Sequence, residues 1–179
     1  MSAFWFTIEL GVNFIDTADS YEPNVSEELI AEALYPYSAG LVIATKGGLT
    51  RTGPNEWPIN GKPEHLKKAL EGSLKRLKLD QIDLYQLHRI DPEVPAENTF
   101  AFLQKAQKDG LIKHIGLSEV HVADIKKAQE FFNEVSVQNM YSVDNRTWET
   151  ELQYCQDYNI AFYPLIPAKC WQRGRVGKN

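Results

Sequence analysis

The stretch "GVNFIDTADSY", Gly11 to Tyr21, begins as an apolar strand and then sets down Asp16, Thr17, Asp19, Ser20 and Tyr21 in close succession. A run that only closed a core has no reason to end on an acid followed by a phenol. The rest of the chain decides what sheet this run joins. The runs "LVIATK" (41–46), "IDLYQLH" (82–88), "IKHIGLS" (112–118), "VSVQ" (135–138) and "IAFYPL" (160–165) are similarly short and apolar. Buried parallel strands read this way.

The intervening segments carry helical patterns. "SEELIAEAL" offers Ser26 as an N-cap, acids in its first turn, and an apolar face of Leu29, Ile30, Ala33 and Leu34. "KPEHLKKALEGSLKRLKLD" has Pro63 in its first turn and Leu66, Leu70, Leu74 and Leu77 on one face. "AENTFAFLQKAQKDG" closes on Gly110 at a C′ position, and "VADIKKAQEFF" and "ETELQYCQDY" complete the set. The opening "MSAFWFTIELG" reads as the end of a helix that feeds the first strand. Strands alternating with helices predict βαβ units and a parallel sheet.

One connection breaks the rhythm. "GGLTRTGPNEWPING" (47–61) holds four glycines, two prolines and a tryptophan. A loop of this length in a compact domain is either functional or a solvated insertion.

The 179 residues are enough for one domain, 1–179, and the 43% hydrophobic content is that of an ordinary globular protein. A net charge of -5 gives no general attraction to nucleic acid or an anionic membrane, although a local pocket can still be basic. The apolar start is too short to span a bilayer and has no basic leader region. Cys155 and Cys170 make neither a disulfide framework nor a zinc site, which suits a reducing, cytoplasmic setting.

Catalytic groups of parallel α/β barrels gather at the C-terminal ends of the strands. The first three runs end at Asp16, Lys46 and His88. Singly, each has a plain explanation: Asp16 capping a turn, Lys46 snorkelling to water, His88 a satisfied core histidine. Together, on adjacent strands, they favour a site. Tyr21 can lean over the same mouth. Its ordinary pKa of about 10 falls beside an ammonium such as Lys46, and Asp16 can hold that lysine charged. His88 can donate to a carbonyl oxygen. The set suits protonation of an oxygen on which negative charge develops, as when hydride adds to a carbonyl. None of these groups donates hydride, so a cofactor is needed. No G-x-G-x-x-G follows a strand, so a Rossmann site is not supported. Ser118 and Gln138 end the next two strands and either hydrogen-bond an amide or face water.

These residues resemble the aldo-keto reductase family, through "GVNFIDTADSY", "LVIATKGG", "DLYQLHRID", "IKHIGLSEV", "VSVQNMYS" and "IAFYPLIP" in family order. The resemblance implies a (β/α)8 barrel that reduces aldehydes and ketones with NADPH, less often NADH. It implies a tetrad of Asp16, Tyr21, Lys46 and His88, with Tyr21 as general acid. It places Ser118, Glu119 and Gln138 at the nicotinamide carboxamide. Glu119 stands where the family usually has Asn, and an ionised carboxylate cannot donate a hydrogen bond. Leu165 stands where an aromatic side chain normally stacks on the nicotinamide, and the tail "AKCWQRGRVGKN" departs from the family.

Such barrels take about 250 residues. The expectation is therefore a partial TIM barrel of about six parallel strands with outer helices, lacking the first strand and the C-terminal part. Its exposed sheet edges invite association. The two functional readings are a carbonyl reductase and a catalytically silent truncated homologue.

Overall fold

The computed structural model describes residues 3–21 and 24–165. In chain order the elements are α1 (Ala3–Glu9), β1 (Phe14–Asp16), α2 (Val25–Leu34), β2 (Val42–Gly47), α3 (Pro63–Leu77) and β3 (Ile82–Leu87). They continue with α4 (Ala96–Lys108), β4 (Ile112–Ser118), α5 (Val122–Ala128), β5 (Ser136–Gln138), α6 (Glu149–Asp157) and β6 (Ala161–Phe162). The six strands form one sheet in sequential order, β1 to β6, and each neighbouring pair is parallel. This is the strand–helix alternation that the sequence predicts.

The helices cover one face of the sheet. Leu66 and Leu70 of α3 and Phe100 and Leu103 of α4 are buried with Tyr85 and Leu87 of β3 and Ile115 and Leu117 of β4. Ile30 and Leu34 of α2 form a second cluster with Ile43 and Leu77. Each such side chain contributes about 1.5–3 kcal/mol by leaving water.

The sheet curls so that its two ends approach. The ring of Phe14 on β1 meets that of Tyr163, just past β6, edge to face at 5.7 Å. Gln138 on β5 donates Nε2 to Asp16 Oδ2 on β1 at 3.1 Å, across the inside of the curl. The result is a curled half-barrel with helices outside. The inner face is crowded enough to require glycine at 116. A Cβ there would lie 2.4 Å from Ser136 Oγ and 3.1 Å from Gln86 Cγ.

Two local expectations are corrected. Ser26 lies inside α2 rather than capping it; the cap position is Asn24, with φ 73° and no side-chain cap bond. Ser26 Oγ instead meets Thr17 Oγ1 at 2.8 Å, which ties α2 to the end of β1. Leu29 is 48% exposed, so the buried face of α2 runs through Glu27, Ile30, Ala31 and Leu34. Pro63 does open α3, and Gly110 does sit in the left-handed region, φ 80°, behind α4. The Cys170 reading and the tail lie outside the described residues.

Candidate active site

Asp16, Lys46 and His88 come together at the C-terminal ends of β1, β2 and β3, with Tyr21 over them from the β1–α2 loop. Register makes this possible. Lys46 pairs with Gln86, and the strand period, carried one residue past β3, puts Gln86 and His88 on the face opposite Tyr85 and Leu87.

Lys46 does not snorkel. It is fully buried, its Nζ donating to Asp16 Oδ2 at 2.7 Å and to the Thr17 carbonyl at 2.8 Å. Burial lowers its pKa, while the Asp16 charge and hydrogen bond work to keep it protonated. Asp16 is held in turn by Gln86 Nε2 on Oδ1 at 3.0 Å and by Gln138 Nε2 on Oδ2. The carboxylate is the node of the site, and it fixes the direction of the ammonium through side chains of β1, β3 and β5.

Lys46 Nζ lies 5.1 Å from the centre of the Tyr21 ring, within cation–π range. The Tyr21 and His88 rings meet edge to face at 5.8 Å. Burial, and then the Asp16 charge, raise the Tyr21 pKa above the usual phenol value, with Arg89 opposing. The lowering expected from Lys46 is not among the causes; the opposing charge is that of Arg89. Tyr21 is therefore held in its protonated, acid form. Burial pushes His88 down to about 3, reinforced by the Lys46 and Arg89 charges. At ordinary pH it is a neutral imidazole that keeps one N–H to donate.

A cleft of about 350 Å3 opens above these groups, lined by Tyr21, Leu49, Trp57, Ile59, His88 and Arg89. That volume suits a small molecule. The long loop supplies three of the six lining residues. Leu49 and Ile59 bridge antiparallel, and Arg51 stacks on Trp57 at 4.6 Å, so the loop is folded rather than a bare insertion.

Ser118 and Gln138 face each other in register at the ends of β4 and β5. Both are buried. Gln138 Oε1 is buried without a hydrogen-bond partner among the described residues. Glu119 adopts φ 54° and accepts the Met140 N–H on Oε1 at 2.9 Å. Leu165 bridges Met140 at the end of the described chain.

Three residues escaped the sequence reading. Gln86 fixes Asp16, and its signal was the period-two alternation that ends at His88. Asn139 spans the Val120 N–H and carbonyl at 3.1 and 2.9 Å and fixes the turn after Ser118. Arg89 lines the cleft beside His88.

The chain belongs to the aldo/keto reductase family, whose profile matches residues 6–169. It is 57% identical over 159 residues to an uncharacterized oxidoreductase of Schizosaccharomyces pombe, covering 89% of this chain and 52% of that one. A glycerol dehydrogenase from Gluconobacter oxydans superposes with a TM-score of 0.85 at 30% identity, over 90% of this chain and 51% of that one. An aldo-keto reductase from Klebsiella pneumoniae in complex with NADPH superposes with a TM-score of 0.78 at 25% identity, over 98% and 60%. The chain thus spans about half the length of the first two. No described helix is long and apolar enough to cross a membrane.

Proposed function

We propose that this chain reduces the carbonyl group of small aldehydes or ketones to an alcohol, with Tyr21 as proton donor and NADPH, or NADH, as the reductant. The observation that carries this reading is a fully buried lysine, fixed by Asp16 and lying against a protonated tyrosine beside a neutral histidine. The reading fits a cytoplasmic protein that acts on a small molecule.

When bound, the reduced nicotinamide supplies the hydride. Ser118, Glu119 and Gln138 would hold its carboxamide. The buried, unpartnered Gln138 Oε1 fits this role as an acceptor for an amide N–H. Glu119 fits only as an acceptor while ionised.

The protein's own part is proton delivery. As negative charge grows on the substrate oxygen, Tyr21 gives up its hydroxyl proton and the O–H bond electrons stay on the phenolate. Lys46 stabilises that phenolate from beneath the ring, and Asp16 keeps the ammonium from drifting. His88, held neutral, donates to the same oxygen without competing as an acid.

Tyr21→Phe removes the donor and little volume. It should lower kcat by about 10²–10⁴-fold. Tryptophan-fluorescence titration of NADPH should read nearly unchanged binding in that variant. Turnover like the wild type's would remove Tyr21 from the mechanism.

A further inference from the structure

Arg89 stands out among the cleft-lining residues. Its Nη1 donates to the His88 carbonyl at 2.6 Å and to Ser118 Oγ at 3.1 Å, so its backbone neighbour and the end of β4 fix the guanidinium. It forms no ion pair with any described residue. Glu119, whose charge acts on it, has Oε1 engaged by the Met140 N–H. Burial depresses the Arg89 pKa from the usual guanidinium value. A half-buried cation that is ion-paired to no described side chain can take an anion from the cleft. Arg89 thus puts a positive charge on the cleft wall of a protein of net charge -5.

We infer that Arg89 selects substrates, with the preferred carbonyl compound carrying a carboxylate on a flat ring that packs against Trp57. This rests on the carbonyl-reducing reading and deepens it. The planar guanidinium matches a carboxylate in two parallel hydrogen bonds, and the apolar side chains of Leu49 and Ile59 complete a slot for the ring. The aldehyde end then lies toward Tyr21 and His88.

The test compares 4-formylbenzoate with benzaldehyde in the wild type, Arg89→Met and Arg89→Lys. Binding is read by Trp57 fluorescence, isolated by subtracting the Trp57→Phe protein. Turnover is read by NADPH oxidation. The wild type should bind 4-formylbenzoate about tenfold or more tightly than benzaldehyde, in keeping with a charge-assisted pair. Arg89→Met should abolish that preference through KM rather than kcat. Arg89→Lys should keep part of it, and it carries the test where the methionine variant does not fold. Equal losses for both aldehydes, or a loss confined to NADPH affinity, would overturn the inference by assigning Arg89 to the cofactor side. Turnover of benzaldehyde with no preference for the anion overturns the inference and leaves the carbonyl reading standing. Selective binding of 4-formylbenzoate without turnover of either aldehyde supports anion recognition and overturns the carbonyl reading.

Discussion

Two buried titratable groups beside the site oppose each other. Asp19 is pushed up to about 7 by burial and by the nearby Glu27 charge. His88 is pushed down to about 3. For Asp19 the folded state holds its proton above the ordinary carboxylate range. Stability from this group is present in acid and is lost as pH rises from about 4 to about 7. For His88 the unfolded chain takes up the proton first, so stability is lost as pH falls from about 6.5 toward about 3. The two slopes largely offset between pH 4 and 6.5 in the wild type. Thermal unfolding of single variants should separate them. Asp19→Asn should gain stability relative to the wild type as pH rises toward 7, and His88→Gln should gain as pH falls below 6. Parallel curves for all three proteins would show that neither group is perturbed. At this scale Asp16, Lys46 and His88 were legible as strand-end residues. Asp19 was not, because its character comes from burial beside Glu27, which local sequence does not show.

The helices were legible from apolar spacing and from Pro63 and Gly110, and misread where a polar side chain serves the tertiary structure. Glu27 is a first-turn acid of α2, as expected, but it does not face solvent. It is in fact fully buried, accepting Thr45 Oγ1 of β2 at 2.6 Å and Arg76 Nε of α3 at 2.7 Å. This three-way contact sets how α2 and α3 sit on the sheet, and it rotates Leu29 out to solvent. Removing one partner strands a buried charge, so Arg76→Met should cost about 3–5 kcal/mol in urea unfolding. Glu27→Gln added to Arg76→Met should recover much of that loss, because the charge itself is then gone. A cost below about 1 kcal/mol for Arg76→Met would mean the pair is solvated and does not organise the helices.

The site exists only because the whole sheet curls. Asp16 on β1 is held by Lys46 from β2, Gln86 from β3 and Gln138 from β5, residues distant in sequence. The strand–helix rhythm predicted the order of the strands and the end of the sheet at which chemistry gathers. The contact between the first and fifth strands was not legible, since curvature arises from twist and inner-face packing summed over every strand. In the proposed reaction this constellation delivers a proton to a carbonyl oxygen while hydride reaches its carbon. The most direct measurement is mass spectrometry of the alcohol formed when the purified protein meets benzaldehyde and NADPH deuterated at nicotinamide C4. The wild type should place one deuterium at the new C–H position. A Lys46→Met variant that unfolds at a similar temperature should show a rate lower by about 10²-fold or more. A folded wild-type protein that forms no deuterated alcohol, or a Lys46→Met variant that forms it undiminished, would rule out this proton-delivery chemistry.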